Sequence, residues 1–249
     1  MSEYAVYPSL KGMPVVISGG ASGIGEGIVR EFAAQGSKVG FVDINEPASK
    51  EVAARTGALF LKCDIKDVRA YQSALDQVAA KLGTVTVLVN NAAHDERHKL
   101  EDVTPEFWDD RIAVNLRHAY FAIQAVVPGM KQAGGGSIVN FSSISYHTMT
   151  GNLSVYQAAK AATIGMTRGL ARDLGVDRIR LNSITPGWIM TQRQIDLWLT
   201  PEAEADLMKA QVLKEKVYPP DIARMALFLA SDDSRLISAQ NFVVDGGRM

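Results

Sequence analysis

Short apolar runs recur along the chain, and helical pattern fills the gaps between them. Seven runs stand out: PVVIS (14–18), KVGFVD (38–43), ALFLKCD (58–64), VTVLVN (85–90), SIVNFSS (137–143), IRLNSI (179–184) and NFVVD (241–245). Most are rich in β-branched residues and nearly continuous rather than alternating. A strand with one wet face alternates, whereas a strand covered on both faces does not. The runs therefore predict strands buried on both sides of a sheet. Helical patterns lie between them, over 24–35, 46–55, 67–82, 104–132, 153–175 and 220–230. Strand and helix alternate along the whole length. That order predicts an α/β fold: a single doubly wound, Rossmann-type domain over residues 1–249. It would hold a parallel sheet of about seven strands with helices on both faces, joined by right-handed crossovers. The length is ample for one sizeable core.

One region departs from this rhythm. Residues 188–217 read WIMTQRQIDLWLTPEAEADLMKAQVLKEKV and fall between a strand and a helix. An insertion of this length after a strand's carboxyl end, where open α/β sheets bind ligands, reads as a substrate flap. An ordinary pair of surface helices is the competing reading.

Charge and composition narrow the function classes. Lys and Arg number 26 against 27 Asp and Glu, so the chain lacks the basic surplus of a nucleic-acid partner. No apolar run is long enough to span a bilayer, and MSEYAVYPSLKG lacks the apolar stretch of a secretory signal. The single cysteine, Cys63, rules out an intrachain disulfide and reads as a small buried residue, so a cytoplasmic protein is expected. His94, His98 and His118 have no metal-ligand spacing and read as surface or helix-face groups; no metal is expected.

The first strand runs into ISGGASGIGEGI, which opens a helix. Gly19, Gly23 and Gly25 suit a turn with unusual backbone angles, where a pyrophosphate can approach bare N–H groups at a positive helix end. The strand–turn–helix context is what gives this spacing meaning. Asp43 follows at the end of the second strand, twenty positions beyond Gly23. An acid there accepts from adenosine ribose hydroxyls and repels a 2′-phosphate, which favours NAD while leaving NADP possible. Asp64 suits either the adenine edge or the cap of the helix from Asp67. Asn91, in VNNAA, suits the cofactor channel or a plain turn.

Tyr156 and Lys160 stand four apart on one helix face. A tyrosine of pKa about 10 is a poor base at neutral pH, and a nearby ammonium favours its phenolate. Ser143 closes the preceding strand and can reach the same cleft. Asn115 is a polar residue among apolar neighbours in the long helical stretch; a bonded core amide is its other reading.

Taken together, Gly19, Gly23, Gly25, NNAA, Asn115, Ser143, Tyr156, Lys160 and Pro186–Gly187 resemble the short-chain dehydrogenase/reductase family over essentially the whole chain. The resemblance implies a Ser–Tyr–Lys–Asn tetrad. Tyr156 would be the general acid/base, Ser143 would orient substrate, and Lys160 would hold the nicotinamide ribose and lower the tyrosine's pKa. Asn115 would hold a relay water. It also implies cofactor contacts at Ser18, Gly19, Ser22, Gly23, Ile24, Gly25, Asp43, Ile44, Asp64, Ile65, Asn91, Tyr156, Lys160, Pro186, Gly187, Ile189 and Thr191. Two positions depart from the pattern: Ser18 replaces the usual threonine and Ala93 the glycine of NNAG.

Polar residues near the expected hydride site, Ser145, His147, Asn152, Gln192 and Arg193 with the aromatic Trp188, suit a small polyol better than a steroid. YPSLKG, DERHKLEDVT, VVPGMK, SISYH and TQRQIDLWLTPE resemble bacterial aldose 1-dehydrogenases of that family, of the L-arabinose and D-xylose type. That implies oxidation of a sugar at C1 to the aldonolactone. A sugar-acid or other small hydroxy substrate with the same tetrad is the alternative, and a non-catalytic nucleotide-binding module is a further one. Val155, Ala159, Ala162, Met166 and Leu170 spread apolar surface widely round the helix over 153–175, which suggests a subunit interface; the family resemblance implies a homotetramer.

Overall fold

The computed structural model describes residues 4–249. Seven strands form one all-parallel sheet, ordered β3-β2-β1-β4-β5-β6-β7. They are β1 (Pro14–Ser18), β2 (Lys38–Asp43), β3 (Leu59–Lys62), β4 (Val87–Asn90), β5 (Gly136–Phe141), β6 (Ile179–Pro186) and β7 (Asn241–Val244). The helices are α1 (Gly23–Ala34), α2 (Glu46–Thr56), α3 (Val68–Leu82), α4 (Pro105–Ile112), α5 (His118–Gln132), α6 (Ser154–Leu174), α7 (Gln192–Trp198), α8 (Pro201–Ala210) and α9 (Pro219–Ala230).

Both faces of the sheet are covered, which is why the strands are apolar without alternation. Val15 and Ile17 of β1 point into one layer with Ile28 and Phe32 of α1 and Ile222 and Leu229 of α9. Val16 points into the other, with Tyr71, Leu75 and Val78 of α3 and Ala122, Val126 and Met130 of α5. Successive side chains of a strand point to opposite faces, so one β-branched run serves two cores. All strands end in the same direction. The chain leaves β1 toward β2 and later returns to lay β4 on β1's other side, which opens a crevice above their carboxyl ends.

The continuous helix expected over 104–132 is interrupted. Residues 113–117 form a single π-helical stretch between α4 and α5. Such widened turns recur at functional sites, and Asn115 lies in this one. Apolar periodicity does not register one extra residue in a turn, so the sequence pattern ran straight through it. The region 188–217 holds α7 and α8. Its base is fastened by a bridge between Ile189 and Val217 and by Val212 and Leu213 N–H groups donating to Gly247 and Gly246. Among the described residues no helix is long and apolar enough to cross a membrane.

His118 opens α5 and is fully buried beside Tyr71, their ring centroids 6.3 Å apart, with its Nδ1 unpartnered. It faces the core rather than the surface. Burial, with a contribution from the Lys160 charge, pushes its pKa down to about 3 from 6.5. The folded state thus binds this proton less readily than the unfolded chain. The neutral imidazole's contribution to stability is complete above pH 6.5 and is lost as pH falls toward 3. The loss should run at roughly 1.4 kcal/mol per pH unit within that window. Urea unfolding at pH 7 and pH 5 should show a drop that His118→Gln largely removes; equal drops in both proteins would contradict it.

Candidate active site

The turn after β1 is shaped by close backbone approach. Gly19 has φ +72°, and a Cβ there would stand 2.9 Å from Ala92 Cα. A Cβ on Gly25 would lie 1.8 Å from the Gly19 carbonyl oxygen. Ser22 is the extended N-cap of α1 and makes no side-chain cap bond. The first-turn N–H groups are therefore not capped by a side chain, at the helix end that attracts anions. Ser22, Ile24 and Gly25 line the crevice. Ser18 does structural work beneath them. Its hydroxyl accepts from the N–H groups of Asn91 and Ala92, both at 3.1 Å, while Asn91 Nδ2 donates to the carbonyls of Ser18 at 3.0 Å and Gly19 at 3.1 Å. Serine keeps the hydroxyl these bonds need, so the departure from threonine leaves them intact.

The cleft has a volume of about 880 Å³ and runs along the carboxyl ends of the strands. At one end stand Asp43, Ile44, Asp64 and Ile65. Asp43 Oδ2 accepts from Ala21 N–H at 3.0 Å and Oδ1 from Asn45 N–H at 2.9 Å, so the carboxylate is held beside the glycine turn. The helix cap is Asp67, whose Oδ1 accepts from Ala70 N–H at 3.0 Å; Asp64 instead bonds Lys66 N–H at 2.9 Å and faces the cleft. Further along come Asn91, Pro186, Gly187, Ile189 and Thr191. Gly23 lies behind, against the Thr191 side chain. Bare backbone, an unfilled helix end and an acid at the end of β2 fit a dinucleotide.

Ser143, Tyr156 and Lys160 meet where β5 and α6 flank the cleft. Lys160 is only 2% exposed. Its Nζ donates to the Phe141 carbonyl at 2.9 Å and lies 5.6 Å from the Tyr156 ring centroid. Burial pushes its pKa down to about 8. The Tyr156 phenol is pushed up to about 12, first by burial and then by the Asp95 carboxylate, against the Ser143 hydroxyl, Arg193 and Arg97. In the protein alone, desolvation therefore outweighs the favourable charges, and the lowered phenol expected from a neighbouring ammonium is not what the geometry gives. Asn115, 2% exposed, takes hold of the loop opposite. Its Oδ1 accepts from His94 N–H at 2.9 Å, and its Nδ2 donates to the carbonyls of His94 at 3.1 Å and Arg111 at 2.9 Å.

A family model described as enoyl-(acyl carrier protein) reductase matches residues 19–248. The chain is an NAD(P)-dependent short-chain dehydrogenase/reductase. It is 48% identical over 248 residues to a protein named D-xylose 1-dehydrogenase from Caulobacter vibrioides, covering 98% of each chain. It is also 48% identical over 247 residues to a "probable galactose dehydrogenase GalD" from Rhizobium meliloti, covering 97% of this chain and 96% of that one. A 7α-hydroxysteroid dehydrogenase solved with NADH and 7-oxo glycochenodeoxycholic acid superposes with a TM-score of 0.90 at 32% identity, covering 97% of this chain and 96% of that one.

In this dehydrogenase, Ser145, Trp188 and Arg193 line the cleft with Tyr156. His147, Asn152 and Gln192 lie outside its lining. His147 stacks on Tyr146 at 4.0 Å between centroids, Asn152 offers its carbonyl to His98 N–H at 3.0 Å, and Gln192 bonds Asp196 at 2.7 Å. His94, expected on the surface or a helix face, lines the cleft. So do Asp95, Arg97, Gln194 and Trp198, which the sequence reading did not single out. The pairing of Asp95 with Arg193 and Gln194 joins residues about a hundred positions apart, which local pattern does not reveal. Among the described residues no cluster suited to a metal ion occurs.

If the turn receives the pyrophosphate, Gly25→Ala should fold but weaken NADH binding at least about tenfold, because the new methyl forces Gly25 away from the Gly19 carbonyl. Titration of protein fluorescence with NADH, beside a thermal melt, tests this. A variant with an unchanged melt and unchanged affinity would contradict the assignment of the turn.

Proposed function

We propose that the enzyme oxidises an aldose, a pentose such as D-xylose or L-arabinose, at C1 to the aldonolactone. The observation that carries the reading is the 48% identity, end to end, with a protein named D-xylose 1-dehydrogenase. The cleft supports it: Ser145, Thr148, Thr150, Asp95 and Arg193 offer donors and acceptors in a lining that also holds Trp188 and Trp198. A polar pocket with aromatic walls suits a sugar, which is hydroxylated at its rim and apolar on its C–H faces.

A bound nicotinamide dinucleotide would supply the acceptor for the C1 hydride. Gly19, Ser22, Ile24 and Gly25 would hold its pyrophosphate, Asp43 its adenosine ribose, and Ile189 and Thr191 its carboxamide. On this reading Tyr156, as phenolate, takes the proton of the C1 hydroxyl while that carbon becomes the lactone carbonyl. Ser143 donates to the same oxygen and fixes its place. Lys160 holds the nicotinamide ribose and keeps a positive charge close to the phenolate. Asn115 holds the 93–99 loop through His94 and so acts as a positioning residue, beside the water-holding role the family resemblance gives it. Asp43, already close to the adenosine end, favours NAD over NADP by repelling a 2′-phosphate. Residues 188–217 act as the flap over the substrate.

Two properties complete the proposal. Trp108 and Tyr120 are 45% and 46% exposed on α4 and α5, and Ala162 and Met166 keep exposed surface on α6; apolar faces of this kind fit pairing of these helices in a homotetramer. Cys63 is buried, with its thiol pushed up to about 11, which fits an inert residue in a reducing cytoplasm.

One observation favours a second reading. Arg97, Arg193 and Arg248 all line the cleft, and cations suit a sugar acid. Initial rates with NAD and NADP across D-xylose, L-arabinose, D-galactose, D-glucose and the corresponding sugar acids separate the two. Strong turnover of one neutral aldose with NAD is expected; turnover confined to acids would replace the first reading with the second. Tyr156→Phe should lower kcat by roughly 10²- to 10⁴-fold, the range for a general base, with NADH binding retained. Because the reaction needs the phenolate and burial raises its pKa, wild-type kcat/KM should climb with pH from 6 to about 8, above which Lys160 begins to lose the charge it lends the phenolate; a flat profile below pH 8 would remove Tyr156 from the role.

A further inference from the structure

We propose that Asp95 sets the charge selectivity of the substrate site: it neutralises Arg193 across the cleft, so that the enzyme takes neutral polyhydroxyl compounds and rejects their carboxylated counterparts. The proposal rests on the sugar reading above and deepens it.

Asp95 sits on the loop after β4, and its side chain is only 20% exposed. Its Oδ1 accepts from Arg193 and its Oδ2 accepts from Gln194 Nε2 at 3.2 Å. Gln194 in turn accepts from Trp188 Nε1 at 2.9 Å through its Oε1. One carboxylate thus gathers two residues of α7 and, through one of them, the indole beside β6. All four residues line the cleft that holds Tyr156. The loop itself is held by Asn115 through the His94 backbone and by Arg111, which donates to His94 Nδ1 and Glu96 Oε2, both at 2.6 Å. The carboxylate is therefore built into the wall rather than hanging from a free loop.

The charges around the reacting oxygen show what it does. Lys160 approaches Tyr156 from α6, Arg97 and Asp95 from the loop after β4, Arg193 from α7, and Ser143 offers a neutral hydroxyl. Arg97 is engaged over the Trp198 ring at 4.9 Å. Asp95 is the one anion acting on the phenol in this set, and it lifts the phenol's pKa where the two arginines lower it. With the carboxylate gone, the walls near Tyr156 would present arginines alone and would attract an anion. With it present, Arg193 is neutralised and a second carboxylate meets repulsion. A carboxylate only accepts hydrogen bonds and a guanidinium only donates them. A hydroxyl does both, so neighbouring sugar hydroxyls can engage the pair, whereas a carboxylate group in their place cannot donate to Asp95. Discrimination of this kind works by penalising the wrong ligand.

The test compares wild type, Asp95→Asn and Arg193→Gln on D-galactose and D-galacturonate with NAD, recording kcat/KM and its pH dependence, beside NADH binding and a thermal melt. Asp95→Asn should lower kcat/KM for galactose about tenfold and move the galacturonate-to-galactose ratio up by about tenfold or more, the scale for a hydrogen bond to a charged group. Its rising pH limb should shift to lower pH, because the anion that holds the phenol protonated is gone. Arg193→Gln should do the reverse: the ratio falls and the limb moves to higher pH. This second variant carries the test if Asp95→Asn fails to fold. A wild-type preference for galactose that survives Asp95→Asn within about twofold, with the pH limb in place, overturns this proposal alone. Wild-type turnover that favours galacturonate, or silence on every neutral sugar, overturns it together with the sugar reading.

Discussion

All seven strands run in one direction, and this is the constraint from which the site follows. A parallel sheet must return each strand through a crossover, so every strand's carboxyl end opens at the same edge. Gly19 leaves β1 there, Asp43 ends β2, Asn91 follows β4, Ser143 follows β5 and Pro186 ends β6. Residues spread over most of the chain are thereby delivered to one crevice. The sheet can hold this shape because both faces are dry, with Val15 and Ile17 feeding one core and Val16 the other. Burial on both sides leaves little room for strands to slip, and a fixed sheet edge fixes the geometry above it.

Beside that crevice, Lys160 and Asn115 are buried polar groups, and each has partners that keep it in place. Lys160 would be costly in a dry helix–sheet interface. The Phe141 carbonyl accepts a hydrogen bond from its Nζ, and burial lowers its pKa. Asn115 carries the same logic on the other wall, since its side-chain amide spends both ends on the His94 backbone. That buried amide lies in the π-helical turn that links α4 to α5. The cleft thus has a buried amine in its wall at Lys160, and on the opposite side a loop held by a buried amide behind it.

The fold was largely legible because its signals are local or periodic. Two-sided burial of the inner strands writes itself as continuous β-branched runs, and all seven runs lie within observed strands or overlap them closely, although the edge strands β3 and β7 are only partly buried. Ends proved less legible: β3 covers four residues of the run over 58–64, and β4 begins two residues late. A hydrophobic run continues into the loop whenever the loop is buried as well. The glycine turn and the tyrosine–lysine pair were readable because steric closeness and helical spacing demand particular residue types at short separations. The phenol's pKa was not, since it depends on how much water burial removes, and spacing carries no such information.

What stayed hidden in the site is what depends on contacts between distant segments. Asp95 and Arg193 are 98 residues apart, in two stretches whose polarity is ordinary for loops and short helices. Nothing in either stretch says that one carboxylate answers one guanidinium. Four arginines along the cleft, read alone, argue for an anionic substrate; the fold places acids against two of them and a tryptophan under another. The net charge at a binding site belongs to the folded arrangement rather than to either segment. Two relatives with the same tetrad and the same count of charged residues can therefore differ in substrate charge through a single cross-cleft pairing.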